Sequence, residues 1–124
     1  MPLKRGDVYY AGLDPVVGSE TGKTRPVLVI QNDIGNQFSP TTIVAVVTDF
    51  SEKKASYPIC VVIPEEAGLR KKSIVNLAQI RSIDRRRLQR DKIASLSTEI
   101  MHKVDRALLY SLGLEPCGAR NEER

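Results

Sequence analysis

Arg25 occupies the position in this sequence that most clearly suggests chemistry. It follows a polar, glycine-punctuated stretch, residues 18–24, and leads through Pro26 into a run of four apolar residues. Arg25 is therefore predicted to lie where a flexible loop enters a buried strand, with an extended backbone before the proline. A guanidinium fixed in this way presents a rigid fork of donors to phosphate or carboxylate oxygens. A salt bridge to Glu20 or Asp33 is the structural alternative.

Thr48, Ser19 and Glu20 are the hydroxyl and carboxylate groups that could act together with Arg25. Thr48 ends a strongly apolar run. A hydroxyl at a strand end can bind a phosphate oxygen, although it can also be a simple strand terminus. Ser19 and Glu20 lie in the loop before Arg25. A carboxylate there can serve as a base or can only hold Arg25 in place, and the sequence leaves both roles open.

Two amide side chains could recognise nucleic-acid bases. Asn32 follows the buried strand at its far end, and Gln79 opens the last predicted strand. Amides both donate and accept hydrogen bonds, which suits the edges of bases. Ordinary turn and strand polarity is the alternative for both residues.

The histidine and cysteine content excludes several kinds of site. His102 is the only histidine, so a two-histidine acid–base mechanism is not available within one chain. Cys60 and Cys117 are too few and too far apart for a structural zinc site, and no metal or other cofactor is predicted. Cys60 is expected in the core, and no disulfide is expected in a reducing compartment.

The formal charge of +4 includes two clusters of cations. The first is residues 70–72. The second consists of Arg81, Arg85, Arg86, Arg87, Arg90 and Lys92. Clustered cations attract polyanions, so both clusters are candidates for binding, with ordinary solvated surface as the alternative. The second cluster could also bind an acidic protein.

Apolar and alternating runs predict a set of short strands. They cover residues 7–11, 26–31, 42–48, 59–63, 73–77 and 79–83. Residues 26–31 are apolar enough to be buried on both faces. Short strands at close spacing, with turns between them, indicate a small, mostly antiparallel barrel. One tight helical turn is predicted at residues 64–68, and exposed turns or loops at 32–36 and 49–58.

An amphipathic helix is predicted near the C-terminal end. Apolar residues recur with helical spacing over residues 98–112, Ser97 is a suitable N-cap and Gly113 a suitable stop. The helix is expected to pack on the barrel, which makes the fold α+β and mostly β. No linker or repeat divides the chain, so residues 1–114 are predicted to form one domain and residues 115–124 a disordered tail.

Length and hydropathy are typical of a small single-domain protein. Of its 124 residues, 41% are hydrophobic and 27% charged, which allows a core with a well-solvated surface. No run of about 18 apolar residues is present, and the N-terminus has no apolar signal segment. The protein is therefore expected in the cytoplasm.

Four ordered blocks of this sequence resemble the MazF/PemK family of toxin endoribonucleases. They are KRGDVYYA (residues 4–11), DPVVGSE followed by RPVLVI (14–30), IVAVVT (43–48) and SIVNLAQIRSID (73–84). The resemblance extends from Lys4 to Leu114. The order and spacing of the blocks make it specific, whereas Gly-Ser-Glu alone would be a weak signal.

The resemblance implies an SH3-like barrel that assembles as a homodimer and cleaves single-stranded mRNA without a metal. The family's catalytic arginine and threonine fall on Arg25 and Thr48, and its loop glutamate falls on Glu20. The RNA's own 2′-hydroxyl would attack the scissile phosphate, with Arg25 stabilising the charge that develops and Thr48 holding a phosphate oxygen. The products would be a 2′,3′-cyclic phosphate and a 5′-hydroxyl.

The same hypothesis assigns RNA contacts and a protein partner. The predicted RNA contacts are the polar and cationic residues Ser19, Asn32, Gln79, Arg81, Lys4 and Arg5. The resemblance also implies a cognate, acidic, partly disordered antitoxin of the MazE type, which would fold over the same groove as the RNA.

Two alternative functions are compatible with a basic β-rich domain. A CcdB-like toxin shares the barrel but inhibits DNA gyrase by binding it. Such toxins resemble one another in a C-terminal Trp-Gly-Ile segment, and this chain has no tryptophan. An RNA-binding barrel without activity is the other alternative, and incubating purified protein with RNA in EDTA separates it from an enzyme.

Overall fold

A computed structural model describes residues 2–115 of the chain, apart from the side chain of Glu66. Within that range the strands are β1 (Asp7–Gly12), β2 (Thr24–Val29), β3 (Thr41–Asp49), β4 (Cys60–Ile63), β5 (Ser73–Asp84) and β6 (Ala94–Ser95). The helices are α1 (Asp33–Phe38), α2 (Glu52–Ala55) and α3 (Thr98–Ser111). The predicted tail, except for Glu115, lies outside the described residues.

The strands form one antiparallel sheet in the order β4-β5-β3-β2-β1-β6. The sheet curls into a half-barrel. An isolated bridge between Ala11 and Leu88 brings the segment after β5 back onto β1. The predicted fold class, a mostly β, SH3-like antiparallel barrel with a C-terminal helix, is confirmed.

Alternating side chains of the central strands fill two cores, one on each face of the sheet. Leu28 belongs to the core that α3 covers with Val104. Its neighbours Val27 and Val29 belong to the opposite core, together with Tyr9. Both faces of β2 are therefore buried, as its continuous apolar run predicts. The buried part of β2 is Val27–Val29, and Arg25 and Pro26 at its start are half-buried.

Helix α3 begins and ends where the sequence predicts. Ser97 Oγ accepts a hydrogen bond from Ile100 N (3.2 Å), and Gly113 follows the helix with a φ of 75°. The buried face presents Met101 and Val104 to the core, and a fully buried valine contributes about 1.5–3 kcal/mol. No helix within residues 2–115 has the length and apolar character needed to cross a membrane.

Strand β5 corrects the prediction of separate strands at residues 73–77 and 79–83. It is one strand that pairs with β3 in two registers, with Ala45 opposite Ile80 but Val46 opposite Asn76. The three residues between Asn76 and Ile80 form a bulge. Within it, Asn76 Oδ1 accepts a hydrogen bond from Ala78 N (2.8 Å). The break predicted between two strands is therefore a bulge within one.

Two short helices replace predicted turns and loops. Helix α1 begins inside the turn predicted at residues 32–36, where Asn32 Oδ1 accepts a hydrogen bond from Gly35 N (2.8 Å). Helix α2 lies inside the loop predicted at 49–58 and is capped in the same way by Ser51. The helical turn predicted at residues 64–68 is confirmed as a 3₁₀ turn, Glu65–Ala67.

Cys60 on β4 is buried and its thiol is free. Burial raises the pKa of this thiol, and the charge of Lys54 opposes the shift. The thiol is therefore neutral at physiological pH and packs as a small apolar group, as predicted.

The β1–β2 loop, residues 13–23, is closed at its base. Leu13 N donates a hydrogen bond to Lys23 O (2.8 Å). Gly22 crosses so near Asp14 that a Cβ at this position would overlap the aspartate carboxylate. A larger residue at this position would require the side chains of Asp14 and Val16 to move. The loop therefore delivers the chain to β2 from a defined direction.

Candidate active site

The register of the central strands brings Arg25 and Thr48 together. Strand β2 pairs antiparallel with β3, and Val27 lies opposite Val46. Extending this register by two residues places Arg25 opposite Thr48. Side chains alternate along a strand, so both lie on the face of Val27 and Val46, just beyond the end of that core.

Arg25 and Thr48 line one cleft of about 640 Å³, called the candidate cleft below. Tyr10 of β1 also lines it, together with Arg70 and Lys71 from the segment before β5. The cleft thus combines three cationic side chains with the hydroxyls of a threonine and a tyrosine. Such a lining suits an anionic ligand that also carries flat rings.

Arg25 and Arg70 carry the unpaired charge of the candidate cleft. Among residues 2–115, neither guanidinium has a hydrogen-bond or ion-pair partner. Lys71, in contrast, pairs with Asp49, which also lines the cleft, with Nζ 3.2 Å from Oδ1. The rigid donor forks of the two arginines are therefore available to phosphate oxygens.

The predicted alternative, a salt bridge from Arg25, is not observed within the described part of the chain. Glu20 Oε1 instead accepts a hydrogen bond from Val17 N (2.8 Å). Asp33 Oδ1 accepts one from Arg5 N (2.7 Å), and this bond lowers the pKa of Asp33. Both carboxylates predicted as partners of Arg25 therefore accept hydrogen bonds from backbone N–H groups instead.

Lys54 contacts Thr48 but is not among the residues that line the candidate cleft. Its Nζ lies 3.3 Å from Thr48 Oγ1, and it belongs to α2, a segment the sequence predicted as an exposed loop. Ser51 as N-cap with Glu52 in the first turn was the available signal for this helix. Periodicity could not reveal a helix of one turn.

Glu20, Gln79 and Arg81 share a second, polar pocket of about 350 Å³, called the loop pocket below. Thr21 N donates to Gln79 Oε1 (3.4 Å), so the bulge of β5 supports the β1–β2 loop. Glu20 is not among the residues that line the candidate cleft. Ser19 lies exposed in the same loop.

Lys4, Arg5 and Asn32 lie away from the candidate cleft. Arg25 lies at the start of β2, whereas Asn32 follows its end, and a strand advances about 3.3 Å per residue. The Arg5 guanidinium donates to Asp105 Oδ1 (2.7 Å) and to the Ile30 carbonyl (2.8 Å). Asn32 caps α1. The predicted RNA contacts of these three residues stay predictions.

Four arginines at the end of β5 and just after it, called the arginine cluster below, are engaged in internal bonds: Arg81, Arg85, Arg86 and Arg87. Arg81 donates to the Leu13 carbonyl (2.8 Å), and Arg87 donates to the carbonyls of Gly12 (3.0 Å) and Asp14 (2.8 Å). These bonds attach the cluster to the root of the β1–β2 loop. Arg85 bonds in the same way to the Asn36 and Ser39 carbonyls, and Arg86 pairs with Asp84.

The family model of the PemK-like, MazF-like toxins of type II toxin–antitoxin systems matches residues 4–112. The chain belongs to this family. Endoribonuclease EndoA of Bacillus subtilis (strain 168) is 56% identical over 115 residues, which cover 92% of this chain and 97% of that protein. Endoribonuclease MazF of Staphylococcus epidermidis is 50% identical over 113 residues, which cover 90% and 92%.

Solved structures of MazF-like toxins share the fold of this one. MazF from Deinococcus radiodurans superposes with a TM-score of 0.78 at 24% identity, covering 91% of this chain and 98% of that one. A mycobacterial endoribonuclease solved in complex with its cognate antitoxin has a TM-score of 0.75 at 22% identity, covering 91% and 97%. The half-barrel with its C-terminal helix is therefore the toxin fold.

Sequence reasoning singled out Arg25 and Thr48 in this MazF-like toxin but missed three residues around them. Arg70 was noted only as part of a charge cluster, Lys54 only as part of a loop, and Tyr10 only as part of a strand. The basic cluster was a usable signal for Arg70. Nothing in the local sequence of Tyr10 indicates that it lines the cleft, and nothing in that of Lys54 indicates that it contacts Thr48.

Proposed function

We propose that this MazF-like toxin is an endoribonuclease that cuts single-stranded mRNA at a short sequence. The observation that carries the proposal is an Arg25 guanidinium that has no partner among residues 2–115 and lines the same cation-rich cleft as Thr48. The names of two relatives at 56% and 50% identity support the same reaction. So does the family, whose members are toxins of toxin–antitoxin systems.

The reaction is a transfer of the phosphate from the 5′ oxygen to the neighbouring 2′ oxygen. The 2′-hydroxyl oxygen forms a bond to phosphorus and loses its proton, the bond to the 5′ oxygen breaks, and that oxygen takes up a proton. The products are a 2′,3′-cyclic phosphate and a 5′-hydroxyl. Negative charge grows on the non-bridging oxygens, so Arg25 donating to one and Thr48 to another lowers the barrier. Each well-placed donor raises the rate by about 10²–10³-fold.

Glu20 contacts the RNA from the loop pocket in this proposal. Its carboxylate is bonded to Val17 N and lies with Gln79 and Arg81 rather than with Arg25. Glu20→Gln should therefore raise KM and leave kcat within about threefold. A fall of about 10²-fold or more in kcat would instead identify Glu20 as the base that takes the 2′ proton.

The remaining RNA contacts follow from where the side chains lie. Tyr10 stacks on a base in the candidate cleft, and Arg70 contacts a flanking phosphate. Gln79 and Ser19 read bases near the loop pocket. The predicted contacts at Lys4, Arg5 and Asn32 lie near the far end of β2, so they would serve a longer stretch of RNA.

The proposal includes a homodimer, an antitoxin and a cytoplasmic location. Ile34 and Phe38 lie one turn apart on α1 with 74% and 76% of their surface exposed, and such a pair suits contact with a second copy. The cationic cleft suits an acidic antitoxin segment, and a structural relative was solved in complex with its cognate antitoxin. The cytoplasm is where such a toxin meets mRNA.

One experiment tests the proposed reaction directly. Purified protein is incubated in EDTA with a long single-stranded RNA and with the same RNA carrying 2′-deoxy sugars at the mapped cut sites. Wild type should produce discrete fragments with 5′-hydroxyl and 2′,3′-cyclic phosphate ends, and the 2′-deoxy RNA should stay intact because it lacks the nucleophile.

Variants complete the test. Arg25→Ala should abolish cleavage while most RNA affinity remains, and Arg106→Ala, which removes an exposed arginine from α3, should cut like wild type. Bound but uncut RNA with the wild-type protein would favour the non-catalytic RNA-binding barrel. Metal-dependent cleavage, 5′-phosphate ends or full activity of Arg25→Ala would each contradict the mechanism.

A further inference from the structure

The ammonium group of Lys54 is bonded to the hydroxyl of Thr48. The distance from Nζ to Oγ1 is 3.3 Å. A lysine ammonium carries three donors and no acceptor, so Lys54 must donate and Thr48 must accept. A threonine hydroxyl has a single hydrogen, and a cation close to its oxygen directs that hydrogen away from itself. Thr48 lines the candidate cleft and Lys54 is not among its lining residues, so a ligand in the cleft is a partner to which the Thr48 hydroxyl can donate.

The backbone of α2 holds Lys54 in this position. Ser51 Oγ accepts a hydrogen bond from Lys54 N (3.1 Å) at the start of the helix. Ser56 N closes the other end by donating to the carbonyls of Lys53 and Lys54. Lys54 is half-buried, whereas its neighbour Lys53 is exposed. The single helical turn therefore directs one lysine at Thr48 and the other at solvent.

We propose that Lys54 is a positioning residue that acts through Thr48, orienting its hydroxyl to donate to the scissile phosphate and polarising the O–H bond. This inference rests on the proposed ribonuclease activity. Without Lys54, the Thr48 hydroxyl would rotate freely. It would then present its oxygen to the phosphate as often as its hydrogen, and the phosphate oxygens would repel that oxygen. A neighbouring positive charge also makes the hydroxyl a stronger donor, and charge-assisted hydrogen bonds are roughly twice as strong as neutral ones.

The experiment compares Lys54→Met with Lys53→Met in single-turnover cleavage over a range of protein concentrations. Both variants remove one positive charge from the same helical turn, so they form a matched pair. Lys54→Met should lower the rate at saturating protein by about tenfold, as expected for one hydrogen bond to a charged group, with the half-saturating concentration within about twofold of wild type. Lys53→Met should match wild type, and urea midpoints should show that both variants are folded.

A double-mutant cycle with Thr48→Val tests whether Lys54 acts through the hydroxyl. If it does, adding Lys54→Met to Thr48→Val should cause no further loss, because the group it orients is already absent. The same loss of about tenfold in both backgrounds would overturn the inference. If Thr48→Val cuts too slowly to measure, the Lys54→Met variant alone is the test. A lower rate at saturating protein with an unchanged half-saturating concentration supports the inference, and the reverse overturns it.

Several outcomes would overturn the role of Lys54. One is a Lys54→Met protein that matches Lys53→Met. Another is a loss confined to RNA affinity with a weaker salt dependence, which would make Lys54 an ordinary phosphate contact. In both cases wild type still cuts RNA and the proposed function stands. An intact RNA after incubation with wild type would overturn the proposed function and this inference together.

Discussion

The candidate cleft and the arginine cluster are both rich in cations, but among residues 2–115 only the guanidinium groups of the cluster have hydrogen-bond partners. In the cleft, Arg25 and Arg70 have no partner among residues 2–115. In the cluster, Arg81 and Arg87 donate to backbone carbonyls at the root of the β1–β2 loop. The first region presents its donors to a ligand, and the second uses them to hold the chain that leads to Arg25.

The comparison shows why charge in a sequence is a weak guide to a binding site. Arginines with buried or local acceptors satisfy backbone carbonyls that would otherwise be unpaired, and their removal affects folding. Arginines without acceptors remain free for phosphate. Substitutions in the candidate cleft should therefore lower activity, whereas substitutions in the arginine cluster should lower stability.

Arg25→Lys should produce the largest effect. Lysine keeps the charge but loses the planar fork of donors, so kcat should fall by about 10²-fold or more while the free energy of unfolding stays unchanged. RNA cleavage under single-turnover conditions and a urea titration measure the two quantities. A lysine variant with wild-type kcat would mean that Arg25 supplies only charge.

Arg87→Met should reverse this pattern. Removing the guanidinium leaves the carbonyls of Gly12 and Asp14 without this donor, so the free energy of unfolding should fall by about 1–2 kcal/mol in urea denaturation. The exposed Arg90 provides the control, since Arg90→Met should leave the urea midpoint unchanged. A large loss of RNA affinity with normal stability would place Arg87 in the binding surface instead.

Arg70→Met should weaken RNA binding moderately. Loss of one phosphate contact to single-stranded RNA should reduce the slope of log K against log salt by about 0.7 and weaken the affinity severalfold at low salt. Fluorescence titrations of a 2′-deoxy substrate at several salt concentrations measure both values, again with Arg90→Met as control. An unchanged slope would remove Arg70 from the RNA path.

Asp84→Asn should have the smallest effect, and only at higher pH. The hydrogen bonds from Arg86 lower the pKa of Asp84 from 3.8 to about 2. At a pH between these two values the unfolded chain binds more protons than the folded chain. The ion pair therefore stabilises the fold fully above a pH of about 4, and this stabilisation is lost as the pH falls through about 2. The difference in thermal midpoint between wild type and variant should therefore be small at neutral pH and absent in strong acid. A difference that persists there would show that the effect of the substitution does not come from the charge of Asp84.

Elements with long or periodic patterns could be predicted from the sequence, and short ones could not. Helix α3 has four turns of amphipathic spacing with Ser97 and Gly113 at its ends, and β2 has a continuous apolar run. Helix α2 has four residues and no periodicity. The bulge in β5 interrupts the alternation of a single strand, and in one dimension this pattern is indistinguishable from a turn.

The sequence by itself determined the family, the mostly β fold and the positions of Arg25 and Thr48 at strand ends. Apolar runs and residues such as Pro26 determine the conformation of their own segment, so these features can be predicted from the order of residues alone. Only the tertiary structure decided which cations are available, because a guanidinium donates to whichever oxygen the fold brings near it. The same holds for Lys54, whose bond to Thr48 depends on how α2 packs beside the end of β3.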